Sequence, residues 1–160
     1  MANAHLVLRA CRMSRRSEIQ LSPDEQRELI ESERIVVVST LGLRGWPHSM
    51  PLWYVPRDRD LWIYTYAKSQ KVRNLERDPR ATLLVETGHE YRELRGVEIE
   101  AEAEIHRDLD TVFDLAKELT ARYAGGAQVD EEQAEALRTQ ARKRVAIRFE
   151  IGRASCRERV

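Results

Sequence analysis

Residues 64–79, YTYAKSQKVRNLERDP, carry the chain from a strand into a helix and organise what lies on either side of them. Leading in, Leu61, Ile63 and Thr65 alternate with Trp62, Tyr64 and Tyr66, which is the period of a half-buried strand. Leading out, Val72 and Leu75 fall three apart among charged residues, which predicts a short surface helix stopped by Pro79. The first turn of that helix holds Ser69, Gln70, Lys71 and Arg73. Unpaired N–H groups and a partial positive charge gather at a helix N-terminus, so these donors and cations can form a phosphate seat. The same residues also fit a solvated basic turn, and only the flanking chain separates the two.

Upstream, Ser22-Pro23-Asp24-Glu25 combines an N-cap, a proline at the first helical position and a capping-box glutamate, predicting a helix to about Glu33. Residues 35–41, IVVVSTL, are β-branched and nearly unbroken, as in a strand buried on both faces. Gly42 and Gly45 bracket a turn, and residues 47–55 form the return strand of a hairpin. A polar turn at 56–60 leads into the third strand, so three strands in a row make a meander, the mark of an antiparallel sheet or barrel.

Downstream, residues 81–86 read as a fourth strand. Residues 97–105, VEIEAEAEI, alternate without an error, giving a strand with one dry face and one wet, acidic face. Val112, Phe113, Ala116, Leu119 and Tyr123 trace a helical stripe that ends before Gly125-Gly126. A more polar helix follows over 130–143, and Val145, Ile147, Phe149 and Ile151 alternate as a last strand. One domain over residues 21–151 results. Residues 1–20 read as a poorly ordered N-terminal extension, with Met13 an alternative start to Met1. Residues 152–160 fit no period and read as a disordered tail or a sequencing scar outside the fold.

Lys plus Arg and Asp plus Glu balance at 27 each, so no global field draws the chain to nucleic acid or an anionic membrane. No apolar run reaches the ~18 residues of a membrane span, and HLVLRAC is too short for a secretory segment. The expected location is the cytoplasm. Cys11 and Cys156 belong to no paired motif, and His5, His48, His89 and His106 are scattered, so no metal is expected.

The order of elements and several motifs resemble the split β-barrel flavoproteins, which include pyridoxamine 5′-phosphate oxidase and oxidoreductases dependent on the deazaflavin F420. The motifs are Gly45-Trp46-Pro47-His48 running into Ser49-Met50-Pro51-Leu52-Trp53-Tyr54-Val55, then Leu61-Trp62-Ile63-Tyr64-Thr65, then Lys68-Ser69-Gln70-Lys71-Val72-Arg73-Asn74-Leu75 closing on Asp78-Pro79-Arg80, with Arg95-Gly96-Val97 a weaker mark. The resemblance implies an α+β fold, a six-stranded and mostly antiparallel split β-barrel with flanking helices. It implies that Ser49, Met50, Pro51, Leu52, Trp53 and Tyr54 lie along the cofactor ring, and that Tyr64 and Thr65 contact its ribityl and phosphate region. Lys68, Ser69, Gln70, Lys71 and Arg73 would hold the phosphate. It also implies a homodimer with the cofactor at the subunit interface, a small-molecule substrate, and hydride transfer to an unsaturated or quinone-like compound.

Two departures narrow the choice. The oxidases carry Arg-Lys at the helix start where this chain has Gln70-Lys71, and their C-terminal Arg-x-His has no counterpart, which sets vitamin B6 oxidation aside. FMN ends in one phosphate, whereas F420 carries a phosphodiester, a lactate and a polyglutamate tail. Lys68, Lys71, Arg73 and Arg77 are dispersed as the longer anion requires, so F420 is the expected cofactor and FMN the alternative. No residue stands out as catalytic, because in such enzymes the ring carries the chemistry. A non-catalytic cofactor carrier and a haem-binding relative of the same barrel are the competing readings, the latter disfavoured because His48 and His106 lie in different elements.

Overall fold

The structure, a computed structural model, describes residues 20–159, with side chains as far as Ile151. Residues 1–19, with the N-terminal extension and the alternative start at Met13, lie outside the described residues. The elements run α1 (Pro23–Ser32), β1 (Ile35–Leu41), β2 (Pro47–Arg57), β3 (Asp60–Tyr66), α2 (Gln70–Arg77), β4 (Arg80–Thr87), a 3-10 turn (Tyr91–Glu93), β5 (Arg95–His106), α3 (Leu109–Tyr123), α4 (Glu131–Ala141) and β6 (Arg144–Arg159). The six strands close a barrel in the order β1-β2-β3-β6-β5-β4, and every pairing is antiparallel.

Local chemistry accounts for the element starts. Glu25 N–H donates to Ser22 Oγ while Glu25 accepts from Ser22 N–H, so two of the orphan donors of α1 are satisfied reciprocally. Asp108 caps α3 through Thr111 N–H, and Asp130 with Gln133 repeats the capping box on α4. Gly45, at φ +78°, takes the left-handed position of the β1–β2 turn.

Alternation along each strand divides the apolar residues between two cores. Val36, Val38, Ile63, Leu83, Ile99, Ile147 and Phe149 fill the barrel, closed by Val72 and Leu75 of α2 and Leu29 of α1. Val55 and Ala146 face outward under α3 and α4, where they meet Val112, Leu115, Leu119 and Ala141. Among the described residues no helix covers the outer face of β1. The expectation of a strand buried on both faces is therefore corrected: Val36 and Val38 are buried, whereas Ile35 and Leu41 stand exposed.

Tyr123, the last residue of α3, ties the helical layer to the barrel. Its hydroxyl accepts from the Tyr54 N–H at 3.0 Å and donates to the Arg34 carbonyl, and its ring stacks on Trp53 at 4.2 Å. Tyr123→Phe would keep the stack and leave a backbone N–H of a buried residue without its acceptor, at a cost of about 1–3 kcal/mol by chemical denaturation. An unchanged denaturation midpoint would show that this N–H finds another partner.

β6 carries on past Ile151 to Arg159, pairing with β5 as far as Arg95 with register slips between Glu100 and Ala101 and between Arg95 and Val97. The backbone of 152–159 is thus extended and paired, where the sequence reading places a disordered tail; Val160 lies outside the described residues. A ladder requires only an extended neighbour with open N–H and C=O groups, which the long β5 supplies, and side-chain period does not report it.

Within this closed barrel β2 parts from β3 along most of its length. β2 pairs with β1 over Pro47 to Trp53 but with β3 only over Tyr54 to Arg57. Beyond that point β3 continues on β6 alone, through Tyr64, Thr65 and Tyr66. Among the described residues no strand fills the gap between the two separated edges.

A candidate cofactor cleft at the strand split

The gap has polar walls made of backbone. N–H and C=O of one strand residue point the same way and alternate along the chain. Since the Tyr54 N–H meets Tyr123 on the β1 side, the backbone groups of Ser49, Pro51 and Trp53 point toward the gap. These are groups that want partners, and a planar heterocycle with donors and acceptors along one edge could supply them. On the outer side the hydroxyls of Ser39 and Ser49 lie 2.8 Å apart and Pro51 and Trp53 are exposed; Met50, on the opposite face with Leu52, is exposed as well. Leu52 packs half-buried against the barrel core. Tyr54 is wholly buried and its phenol donates to the Ile30 carbonyl, so only its backbone could meet a ligand. Burial raises its pKa far above the ordinary tyrosine value.

Below the gap, the chain leaves β3 and starts α2. Ser69 is the N-cap in extended geometry, yet among the described residues its hydroxyl caps nothing and its buried Oγ has no partner. The N–H groups of the first turn have no intrahelical acceptors. Lys71 is only 8% exposed, and its ammonium donates to Thr65 Oγ1 at 3.1 Å. That hydroxyl is its one hydrogen-bond partner, and no carboxylate pairs with it among the described residues. Burial lowers its pKa from the usual 10.5. A buried cation with one neutral acceptor is incompletely compensated, and an arriving oxyanion would complete it. The orphaned Ser69 Oγ, the free helix N–H groups and the Lys71 ammonium thus fit a phosphate group.

The remaining residues expected to bind the phosphate divide. Gln70 turns along the helix and its amide donates to Asn74 Oδ1 at 2.9 Å, which withdraws it from the seat. Asn74, fully buried, donates in turn to Thr40 Oγ1 at 3.0 Å and anchors α2 to β1. Lys68 and Arg73 are exposed, whereas Arg77 is engaged with the Leu41 carbonyl at the far end of the helix. Tyr64 sits on the outward face of β3, with its hydroxyl buried and unpartnered. Sequence reasoning missed Asn74 and Thr40 as the anchor of the seat. The one available signal was a polar residue next to Leu75, on the face of α2 that carries Lys71 and Val72 inward.

A cavity of about 850 Å3 lies elsewhere, against β1, β4 and β5, lined among others by Ser39, Arg80, Thr82, Glu100 and Glu102. Its carboxylates would repel an anionic cofactor, and none of the α2 donors reaches it. Among the described residues no group of three or more His, Cys, Asp or Glu side chains could hold a metal ion, and no helix is long and apolar enough to cross a membrane.

Comparison with known proteins agrees with this architecture. A conserved hypothetical protein from Mycobacterium tuberculosis is 33% identical, with a TM-score of 0.81 over 92% of this chain and 91% of that one. A structure described as an F420 reductase superposes with a TM-score of 0.63 at 23% identity, over 84% of this chain and 98% of that one. A haem storage protein from Vibrio cholerae superposes with a TM-score of 0.65 at 15% identity, over 85% and 93%. No curated protein matches the sequence. The family described as pyridoxamine 5′-phosphate oxidase matches over residues 22–156, which is most of the chain, with five strands whole and most of the sixth. On that match, this chain belongs to the pyridoxamine 5′-phosphate oxidase family.

Proposed function

We propose that the chain is an oxidoreductase that binds F420, with FMN the alternative, and passes a hydride to a small unsaturated or quinone-like substrate. The observation that carries this reading is the orphaned Ser69 Oγ beside the buried, carboxylate-free Lys71, at the mouth of the strand split. A flavin or deazaflavin would supply the hydride chemistry, and the protein would supply position and electrostatics. Lys71, Ser69 and the first-turn N–H groups of α2 would take the phosphate, while the backbone edge at Ser49, Pro51 and Trp53 would pair with the ring. Gln70, bound to Asn74, leaves a single cation in the tight seat, and the exposed Lys68 and Arg73 suit charge spread along a longer anion. The F420 reductase among the structural neighbours is consistent with that choice.

The working unit is proposed to be a homodimer with the cofactor at its interface. Ile35, Leu41, Leu43, Trp46, Met50 and Trp53 are exposed large apolar side chains on β1, β2 and their connecting turn. Apolar surface concentrated on one region of a small domain marks an interaction site. Light scattering with cofactor present should give about twice the chain mass of 18.6 kDa. The absorbance and mass of whatever small molecule co-purifies test the cofactor. A deazaflavin or flavin band is the expected result, and a Soret band would overturn it in favour of haem binding. A bound flavin or deazaflavin that turns over no acceptor would replace the enzyme with a carrier.

A further inference from the structure

On the outward face of the same strand end, a second cation stands without a counter-ion. Arg144 opens β6 opposite Tyr66, and its guanidinium carbon lies 4.6 Å from the Tyr64 ring centre and 4.1 Å from that of Tyr66. Held against these two phenols, it makes no ion pair and no hydrogen bond among the described residues. Its Nε is buried and unpartnered, and the side chain as a whole is half-buried. The neighbouring Tyr64 hydroxyl is likewise buried without a partner, and Tyr66 is 58% exposed. Thr65, between them in sequence, points the other way and receives Lys71. The end of β3 therefore presents a cation on each face: Lys71 inside, at the helix seat, and Arg144 outside.

Stacking alone gives a bland account, because an arginine over a phenol stabilises by about 0.5–1 kcal/mol at exposed sites. It does not account for a planar donor fork held against two rings with no hydrogen bond of its own among the described residues, next to a second unpartnered donor. Pre-organised guanidinium groups are suited to oxyanions, since little side-chain freedom is lost on binding. Ser69 N–H bonds the Tyr66 carbonyl, and Ala67 N–H bonds the Lys143 carbonyl, so the short link from β3 to α2 runs directly beside the start of β6. A ligand whose phosphate sits at Ser69 and Lys71 would extend its remaining anionic groups past this corner.

We infer that Arg144, clamped by Tyr64 and Tyr66, is an anchor for a carboxylate of an extended polyanionic cofactor tail, the kind that F420 carries and FMN lacks. The inference rests on the cofactor reading above and deepens it, because two cations on opposite faces of one strand call for two separated anionic groups.

The test compares wild type, Arg144→Gln and Arg144→Lys by fluorescence titration with F420 and with FMN at low and high ionic strength. Arg144→Gln is expected to raise the Kd for F420 about tenfold and that for FMN less than about twofold, and to flatten the salt dependence of F420 binding. Arg144→Lys keeps the charge and is expected to keep most of that salt dependence. In the wild type, whatever the folding of the variants, the arginine Nε resonance assigned to Arg144 is expected to move on adding F420 and to stay still on adding FMN. Equal losses for both ligands, or none, would reduce Arg144 to a support of the sheet end. Wild type that binds FMN but not F420 would also overturn the inference while leaving the phosphate seat. Wild type that binds neither would remove the cofactor reading and this inference with it.

Discussion

Lys71→Ala is expected to weaken binding of phosphate-bearing FMN or F420 by about 1.5–3 kcal/mol, roughly ten- to 150-fold in Kd, with little change in the folded fraction. The asymmetry follows from the surroundings of the ammonium. In the free protein it is buried against one hydroxyl, so removing it forfeits little and relieves a desolvated charge. With a phosphate present, the same ammonium becomes half of a charge-assisted hydrogen bond. The pH dependence has a definite sign. Lys71 binds an anion only while protonated, and its pKa is lowered by burial, so wild-type affinity should fall as pH rises through that lowered value, before an ordinary lysine at 10.5 would lose its proton. Between those two values the unfolded chain binds more protons than the folded one, so this group disfavours folding at low pH and is relieved as pH rises. Affinity that is unchanged in Lys71→Ala, with the same pH profile as wild type, would leave the helix start a solvated basic turn.

Phe149→Ala should cost about 3–5 kcal/mol of stability, a large part of the total for a domain of this size. Phe149 is fully buried on β6, with Leu61 of β3 and Ala103 of β5 as its lateral strand neighbours. Leu29 of α1 and Val72 and Leu75 of α2 close the same core, but Phe149 is flanked on both sides by hydrogen-bonded strands, and such a close-packed wall relaxes only partly. The denaturant midpoint should fall with the slope unchanged, and protein that remains folded should keep its cofactor affinity, because the side chain lies in the barrel core, away from the Lys71 seat. A cost below about 1 kcal/mol would mean that the barrel collapses around the gap more easily than its packing implies.

The sequence was most legible where one element carries its own evidence. The error-free alternation of residues 97–105 and the capping box at Ser22 and Glu25 depend on neighbours along the chain, and both read directly into β5 and α1. Lys71 was legible as a cation at a helix start for the same reason. What escaped depends on partners distant in sequence. The split arises because β2 changes neighbours at Tyr54, and no periodicity within β2 distinguishes a residue paired on both sides from one paired on one. IVVVSTL could not show that only one of its faces would be covered, since β-branched residues suit either case. Gln70 was expected in the seat by its position, but its side chain is claimed by Asn74, which is itself fixed by Thr40 of β1. Arg144 gave no signal at all. It becomes distinctive only when β6 brings it against two tyrosines of β3.

The central claim is that the gap between β2 and β3, ending at Ser69 and Lys71, holds an anionic flavin-type cofactor. Titrating the apoprotein with F420 and with FMN, at two salt concentrations, and following tryptophan fluorescence tests it directly, because Trp53 lies on the open edge of β2 and is 57% exposed. Saturable quenching by F420, tighter than by FMN and weakened by salt, is the expected result. Tighter and less salt-sensitive binding of FMN would contradict the choice of F420 and keep the cleft, whereas no saturable quenching by either ligand would contradict the cleft itself.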